Sequence, residues 1–216
     1  MRRGEHGGDW AAYQIQYHGM PLDFSANVSP MGIPAGVKRA LYQAVEEVNR
    51  YPDPLCRQLR ACLGRHHDVS SAQILCGNGA SDLIDRLVLA LRPKRGMVTA
   101  PAFSEYGQAL RRVGCQVEEF PLQRAEDFRM TARILERITP ALDILFLCEP
   151  SNPAGQTTDR ALLEKILERC DACGVLLVVD ECFEEFLLDR SHSMVSNLTG
   201  HHLLILRAFT KFYGLA

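Results

Sequence analysis

Four short stretches carry residues with chemical capacity. Lys211 stands in "RAFTKFYGLA", residues 207–216. A lysine there is either a solvated charge or, desolvated beside other cations, a Schiff-base nucleophile. Asp180 closes the apolar run "VVDE" with no apolar-phase reason to be there. It is either a cap for the next segment or the partner of a buried cation. Asn152 in "SNPAG" offers an amide to a ligand oxygen, or makes an ordinary Asn-Pro turn. "CGNGASD" is a glycine turn feeding a helix start, where free N–H groups and the positive end of the dipole suit a phosphate. Its spacing matches neither a P-loop nor GxGxxG, and a tight turn capped by Ser81 accounts for it equally well. Taken together, a phosphate cradle, a carboxylate, an amide and a lysine suit one cofactor. Pyridoxal 5′-phosphate needs a phosphate site, an acid against its ring nitrogen and a Schiff-base lysine.

These groups need a scaffold, and the hydrophobic pattern supplies one. "QILCGNG", "GMVTAP", "CQVEEFP", "DILFLCEP", "GVLLVVDE" and "HHLLILRAF" read as short strands, most of them nearly continuous apolar runs, as in strands buried on both faces. Between them run helical patterns. "AGVKRALYQAVEEV" aligns Val37, Leu41, Val45 and Val48 behind Pro34. "SDLIDRLVLALRP" turns Leu83, Ile84, Leu87, Val88 and Leu91 inward. "SEYGQALRRVG" ends near Gly114, and "TDRALLEKILERCDACG" ends at Gly174. An irregular N-terminal arm comes first, and "YPDPLCR" is a turn-rich break. The expected fold is α/β, a mainly parallel sheet flanked by helices, with an arm over 1–35 and a large domain over 36–216. Ligands bind beyond the carboxyl ends of such strands. Five of the expected ends are loaded with polar, Gly or Pro residues: "GNGASD", "APAFSEY", "EPSNPAG", "DECFEEF" and "AFTK".

Bulk properties remove several function classes. The 216 residues carry a net charge of −2, with 47% apolar and 23% charged residues. That gives no electrostatic footprint for nucleic acid or a membrane surface. No apolar run approaches a bilayer span, and "MRRGEHGGDW" has no apolar segment after its positive charges, so the expected compartment is the cytoplasm. The eight cysteines are then expected as free thiols. "CDAC" at Cys170–Cys173 has metal or redox spacing, but it closes an apolar-periodic helix, and no second CxxC or paired HxxxH accompanies it. No metal site is expected.

Seven pieces in order, "LDFSANVSPMGIP", "RYPDP", "GNGASD", "PAFSEYG", "FLCEPSNPAG", "VVDECFEEF" and "LRAFTKFYGLA", make the chain resemble the aspartate-aminotransferase superfamily of pyridoxal-phosphate enzymes, fold type I. The resemblance implies that Lys211 anchors the cofactor, Asp180 pairs with its ring nitrogen and Asn152 bonds its ring hydroxyl. Phe103 would stack on the ring. Ala80 and Ser81 would give N–H groups, and Thr210 a hydroxyl, to the phosphate. Tyr51 would reach the phosphate of a neighbouring subunit, which implies a homodimer. His6, Gly7 and Asn27, with Asn152, would hold a small phosphorylated amino-acid substrate. The "HGG" start, "DFSAN" and "TKFY" favour the branch that decarboxylates L-threonine O-3-phosphate for cobalamin biosynthesis. The histidinol-phosphate aminotransferase branch is the alternative.

The sequence departs from the family pattern at three positions. Phe183 stands where a tyrosine is common in the aminotransferase branch, which leans towards decarboxylation. Ala208 stands where Ser or Thr is common, and Ser29 replaces the second Asn of "N-x-N-P". Family members also continue well beyond the lysine, into a phosphate-binding arginine and a small C-terminal domain. The chain is therefore expected to be a fragment, inactive alone. A ligand-sensing, non-catalytic relative and a decayed remnant are the rival readings.

Overall fold

The fold is that of a computed structural model, which describes residues 8–216 except the side chain of Arg190. His6 and Gly7 lie outside the described residues. Five strands form one sheet: β1 (Arg95–Ala100), β2 (Gln116–Pro121), β3 (Ile144–Cys148), β4 (Leu176–Asp180) and β5 (Leu203–Leu206). Their spatial order is β2-β1-β3-β4-β5, and every pairing is parallel. Seven helices accompany them: α1 (Trp10–Tyr17), α2 (Ala35–Val45), α3 (Arg57–His67), α4 (Gly79–Leu91), α5 (Ser104–Arg112), α6 (Ile134–Arg137) and α7 (Arg160–Cys173).

Strand parity sorts the core into two layers. β3 is buried along its whole length. Its Leu145 and Leu147 join Leu177 and Val179 of β4 on the face covered by α6 and α7. Its Ile144, Phe146 and Cys148 join Val178 on the opposite face, under Ile84 and Val88 of α4 and Tyr106, Ala109 and Leu110 of α5. Side chains alternate along a strand, so Asp180 shares the face of Val178 and points to the α4–α5 layer. Full burial of each such Leu or Ile stabilises by roughly 1.5–3 kcal/mol. α7 shows how the helices are punctuated. The Asp159 carboxylate accepts the Leu162 N–H at 3.2 Å, and Gly174 ends the helix at φ 70°. Cys170 is fully buried, and burial pushes its thiol up to about 12. The Cys173 thiol donates to the Ile138 carbonyl at 3.6 Å. "CDAC" is thus a packing end of a helix.

The structure corrects several expectations. "QILCGNG" is not a strand. A 3-10 turn over Ser71–Gln73, closed by a Ser70–Gln73 capping box, leads into an irregular run in which Leu75 is exposed. α4 begins at Gly79, with Asn78 as its cap residue, so Ser81 does not cap it. Leu91, at its last turn, is 52% exposed rather than inward-facing. α2 stops at Val45, which leaves Val48 in the following turn, and Leu41 and Val45 are exposed. The N-terminal arm is not wholly irregular. Asp9 accepts the Ala12 N–H at 3.1 Å and starts α1. No helix among the described residues is long and apolar enough to cross a membrane.

Candidate active site

Four of the five loaded segments do follow strands, and they meet at the carboxyl edge of β1, β3, β4 and β5. Asp180 is the last residue of β4 and is 4% exposed. The Tyr106 hydroxyl donates to its Oδ2 at 2.5 Å, and the Cys182 N–H donates to its Oδ1 at 3.0 Å. Two donors on one carboxylate satisfy oxygens that burial takes from water. Tyr106 comes from α5 and stacks on Phe146 of β3 with centroids 5.1 Å apart and planes 13° apart. Phe103 meets it edge-on at 5.5 Å. Burial, then the neighbouring Asp180 charge, push the Tyr106 hydroxyl well above its ordinary pKa, so it remains a donor. Tyr106 was not among the sequence candidates. The available signal was its place three residues after Phe103 in "PAFSEYG", one helical turn away.

Lys211 lies in a turn beyond β5 and is partly buried. Its Nζ is 5.9 Å from the centroid of the Phe183 ring, within cation–π reach. Phe183 in turn sits three residues past Asp180. Two hydrogen bonds draw the N-terminal arm across these loops: the Ser29 N–H donates to the Lys211 carbonyl at 2.9 Å, and Asn27 Nδ2 donates to Asn152 Oδ1 at 3.2 Å. Thr210, partly buried, precedes the lysine. At the start of α4, Asn78 makes no side-chain cap bond, so the N–H groups of Ala80 and Ser81 have no acceptor within the helix. The approach to this end is tight, since a Cβ on Gly77 would stand 2.6 Å from Asp82 Oδ2. Ala80, Phe103 and Phe183 all pack against the apolar cluster that contains Tyr106 and Phe146.

The geometry thus gathers Lys211, Asp180, Asn152, Phe103 and Ala80, and adds Asn27 through Asn152. Tyr51 is fully exposed, ahead of the turn that leads into α3. The donor set fits pyridoxal phosphate in kind. It offers free backbone N–H groups for an anion, a carboxylate held by two donors, an amine and an aromatic face.

The family of class I and II aminotransferases matches residues 20–216, and the chain belongs to it. Pyridoxal 5′-phosphate is the cofactor of that family. Among curated relatives, the chain is 41% identical over 194 residues to the threonine-phosphate decarboxylase of Salmonella typhimurium, covering 90% of this chain and 53% of that protein. It is 32% identical over 199 residues to the histidinol-phosphate aminotransferase of Bacillus subtilis, covering 90% and 55%. The histidinol-phosphate aminotransferase of Sinorhizobium meliloti, solved in complex with pyridoxal-5′-phosphate, shares the fold with a TM-score of 0.84 at 23% identity, over 95% of this chain and 56% of that one. The chain spans about half the length of the curated relatives it matches.

A second acid near the site makes stability depend on pH. Glu149, directly after β3, is 2% exposed, and its Oε1 accepts the Thr158 N–H at 2.8 Å. Burial pushes its carboxyl from 4.5 up to about 7, against the pull of Thr158 and His192 and with a further push from Glu181. The folded chain then holds this proton more tightly than the unfolded chain. Glu149 therefore costs no stability below pH 4.5, and its cost grows as pH rises towards 7. Glu149→Gln keeps the acceptor and removes the charge. It is expected to match the parent at acid pH and to exceed it by up to about 3 kcal/mol above neutrality. Denaturant unfolding across the pH range checks this, and a pH-independent difference would contradict it.

Proposed function

We propose that this chain is the cofactor-binding part of an enzyme that decarboxylates L-threonine O-3-phosphate to (R)-1-aminopropan-2-yl phosphate, a step in cobalamin biosynthesis. The observation that carries the proposal is the 41% identity to a threonine-phosphate decarboxylase, joined by Phe183 where the aminotransferase branch commonly has tyrosine. Residues 1–35 act as an arm that closes over the site, and 36–216 hold the cofactor. Bound there, pyridoxal phosphate supplies an electron sink beside the substrate's Cα.

The chain's own residues do the rest. Lys211 would hold the cofactor, and its amine would carry a mobile proton near the substrate's Cα. Asp180 keeps a positive ring nitrogen in place. Tyr106 and the Cys182 N–H aim that carboxylate. Asn152 bonds the ring hydroxyl, and Phe103 covers one ring face. The Ala80 and Ser81 N–H groups and the Thr210 hydroxyl hold the phosphate. Asn27, with His6 and Gly7, would orient the substrate so that its carboxylate, rather than its α-hydrogen, is the group lost. The carboxylate leaves as CO2, and Cα takes up one proton in its place. Tyr51, exposed on this chain, reaches the phosphate of a second copy, so the working enzyme is a homodimer.

The second reading, transamination of a phosphorylated substrate, is favoured by the identity to histidinol-phosphate aminotransferase. Incubating the full protein with O-phosphothreonine separates the two. Stoichiometric CO2 release with no keto acid supports decarboxylation. Keto-acid formation without CO2 overturns it.

A further inference from the structure

Arg207 directly follows β5 and stands four residues before Lys211. Its guanidinium is the hub of a largely buried ionic cluster outside the cofactor's own contacts. Nη2 donates to Glu181 Oε2 at 2.6 Å and to Ser193 Oγ at 3.0 Å, and Nη1 donates to Glu184 Oε2 at 3.0 Å. Glu185 Oε1 lies 3.9 Å from Nη1. The Arg207 side chain is 17% exposed, and those of Glu181 and Glu184 are 1% exposed. Glu181 is itself fixed. The Ser193 hydroxyl donates to its Oε2 at 2.9 Å and the Met194 N–H to its Oε1 at 2.6 Å.

The backbone makes the same link. The β4–β5 pairing ends at Asp180 and Leu206, and the Glu181 N–H then donates to the Leu206 carbonyl at 2.9 Å. The next residues on each strand, Glu181 and Arg207, continue the junction through a charged side-chain bridge. Beyond Arg207 no strand pairing guides the chain. We infer that Arg207 is a positioning residue for Lys211: by gripping Glu181 and Glu184 it fixes how the chain leaves β5, and so where the lysine stands relative to Asp180.

The chemistry of the cluster favours this role over simple stabilisation. Arg207 Nε and Glu184 Oε1 are buried without a hydrogen-bond partner among the described residues. A device serving stability alone would avoid that cost, and buried ion pairs are weak stabilisers in any case. A planar fork can serve two carboxylates and a hydroxyl in fixed directions. A lysine ammonium is a point charge on a flexible stem and cannot.

The inference rests on Lys211 being the cofactor anchor, and the test separates the two. In the full protein, Arg207→Lys keeps the charge and loses the fork. It is expected to lower kcat by about tenfold or more while KM changes less than about threefold, as for a misplaced catalytic group. Hydrogen exchange of residues 208–212 in the cofactor-free protein is expected to speed up by more than that of the strand amides, which track the global loss of stability. Ser193→Ala strands no charge and is expected to give the same pattern in weaker form. The clamp is overturned if both variants keep parental kcat and exchange, or if kcat falls only in proportion to the folded fraction. Lys211→Ala, measured alongside, tests the underlying reading. If it retains turnover, the anchor assignment fails. If it is inactive and Arg207→Lys is indistinguishable from the parent, only the clamp fails.

Discussion

Lys211→Ala is expected to lower turnover of the full protein by at least about a thousandfold, since it removes the residue proposed as both covalent anchor and proton carrier. The same change is expected to leave the fold almost untouched. Lys211 is partly exposed, and its ammonium lies over the Phe183 ring at 5.9 Å. Losing that contact costs about 0.5–1 kcal/mol. Turnover, the absorbance of bound cofactor and the melting temperature together check the result. Lys211→Arg is the sharper control. It keeps a cation over Phe183 but stays protonated, so it is expected to be as inactive as the alanine variant. Turnover within tenfold of the parent in either variant would remove Lys211 from the mechanism.

Asp180→Asn is expected to cost about 10²–10³ in kcat, the scale of losing one preorganised electrostatic partner. The isosteric amide keeps one acceptor oxygen for the Cys182 N–H but turns N–H groups towards the Tyr106 hydroxyl, which now donates to Oδ2. That mismatch is expected to destabilise the fold by about 1–2 kcal/mol. The two readouts divide the alternatives left open by the sequence. A purely local cap would lose stability and keep its rate. A ring partner loses rate far beyond its stability loss. The geometry shows a local bond beside a long-range one: Oδ1 closes a turn to the second residue on, while the other oxygen is held by a tyrosine from α5. Kinetics of the full protein beside its unfolding curve decide how far the electrostatic role extends.

The strands that carry the site were legible because they are buried on both faces and read as unbroken apolar runs. Asp180 stood out for the same reason, a charge ending a run that had no use for one. "QILC" has the same local look and forms no strand, because pairing is non-local and no neighbour lies beside it. The Tyr106–Asp180 bond spans 74 residues and depends on sheet order, which brings α5 over β3 and β4. The Arg207 cluster was hidden similarly. "DECFEEF" reads as a loaded strand end and Arg207 as part of the strand run "HHLLILRAF", and only the β4–β5 pairing sets them face to face. α3, with a polar "RQLRACLGRHH" and one buried residue, Gly64, carries too little apolar periodicity to announce itself. The free start of α4 was visible as a glycine turn, but its true cap residue was not.

The sheet order has one more consequence. The chain runs outward from β1 to β2, then returns across β1 to build β3, β4 and β5 on the other side. The candidate groups that follow strands come from the returning side or from β1 itself, and the others come from the N-terminal arm and the start of α4. The loop after β2 serves none of them, and Gln123, Arg124 and Ala125 there are exposed. That loop is therefore the place for an engineer to work. A fluorophore, an affinity handle or a short inserted peptide at Arg124 or Ala125 attaches to an outboard strand and would leave the chemistry at the far side of the sheet undisturbed.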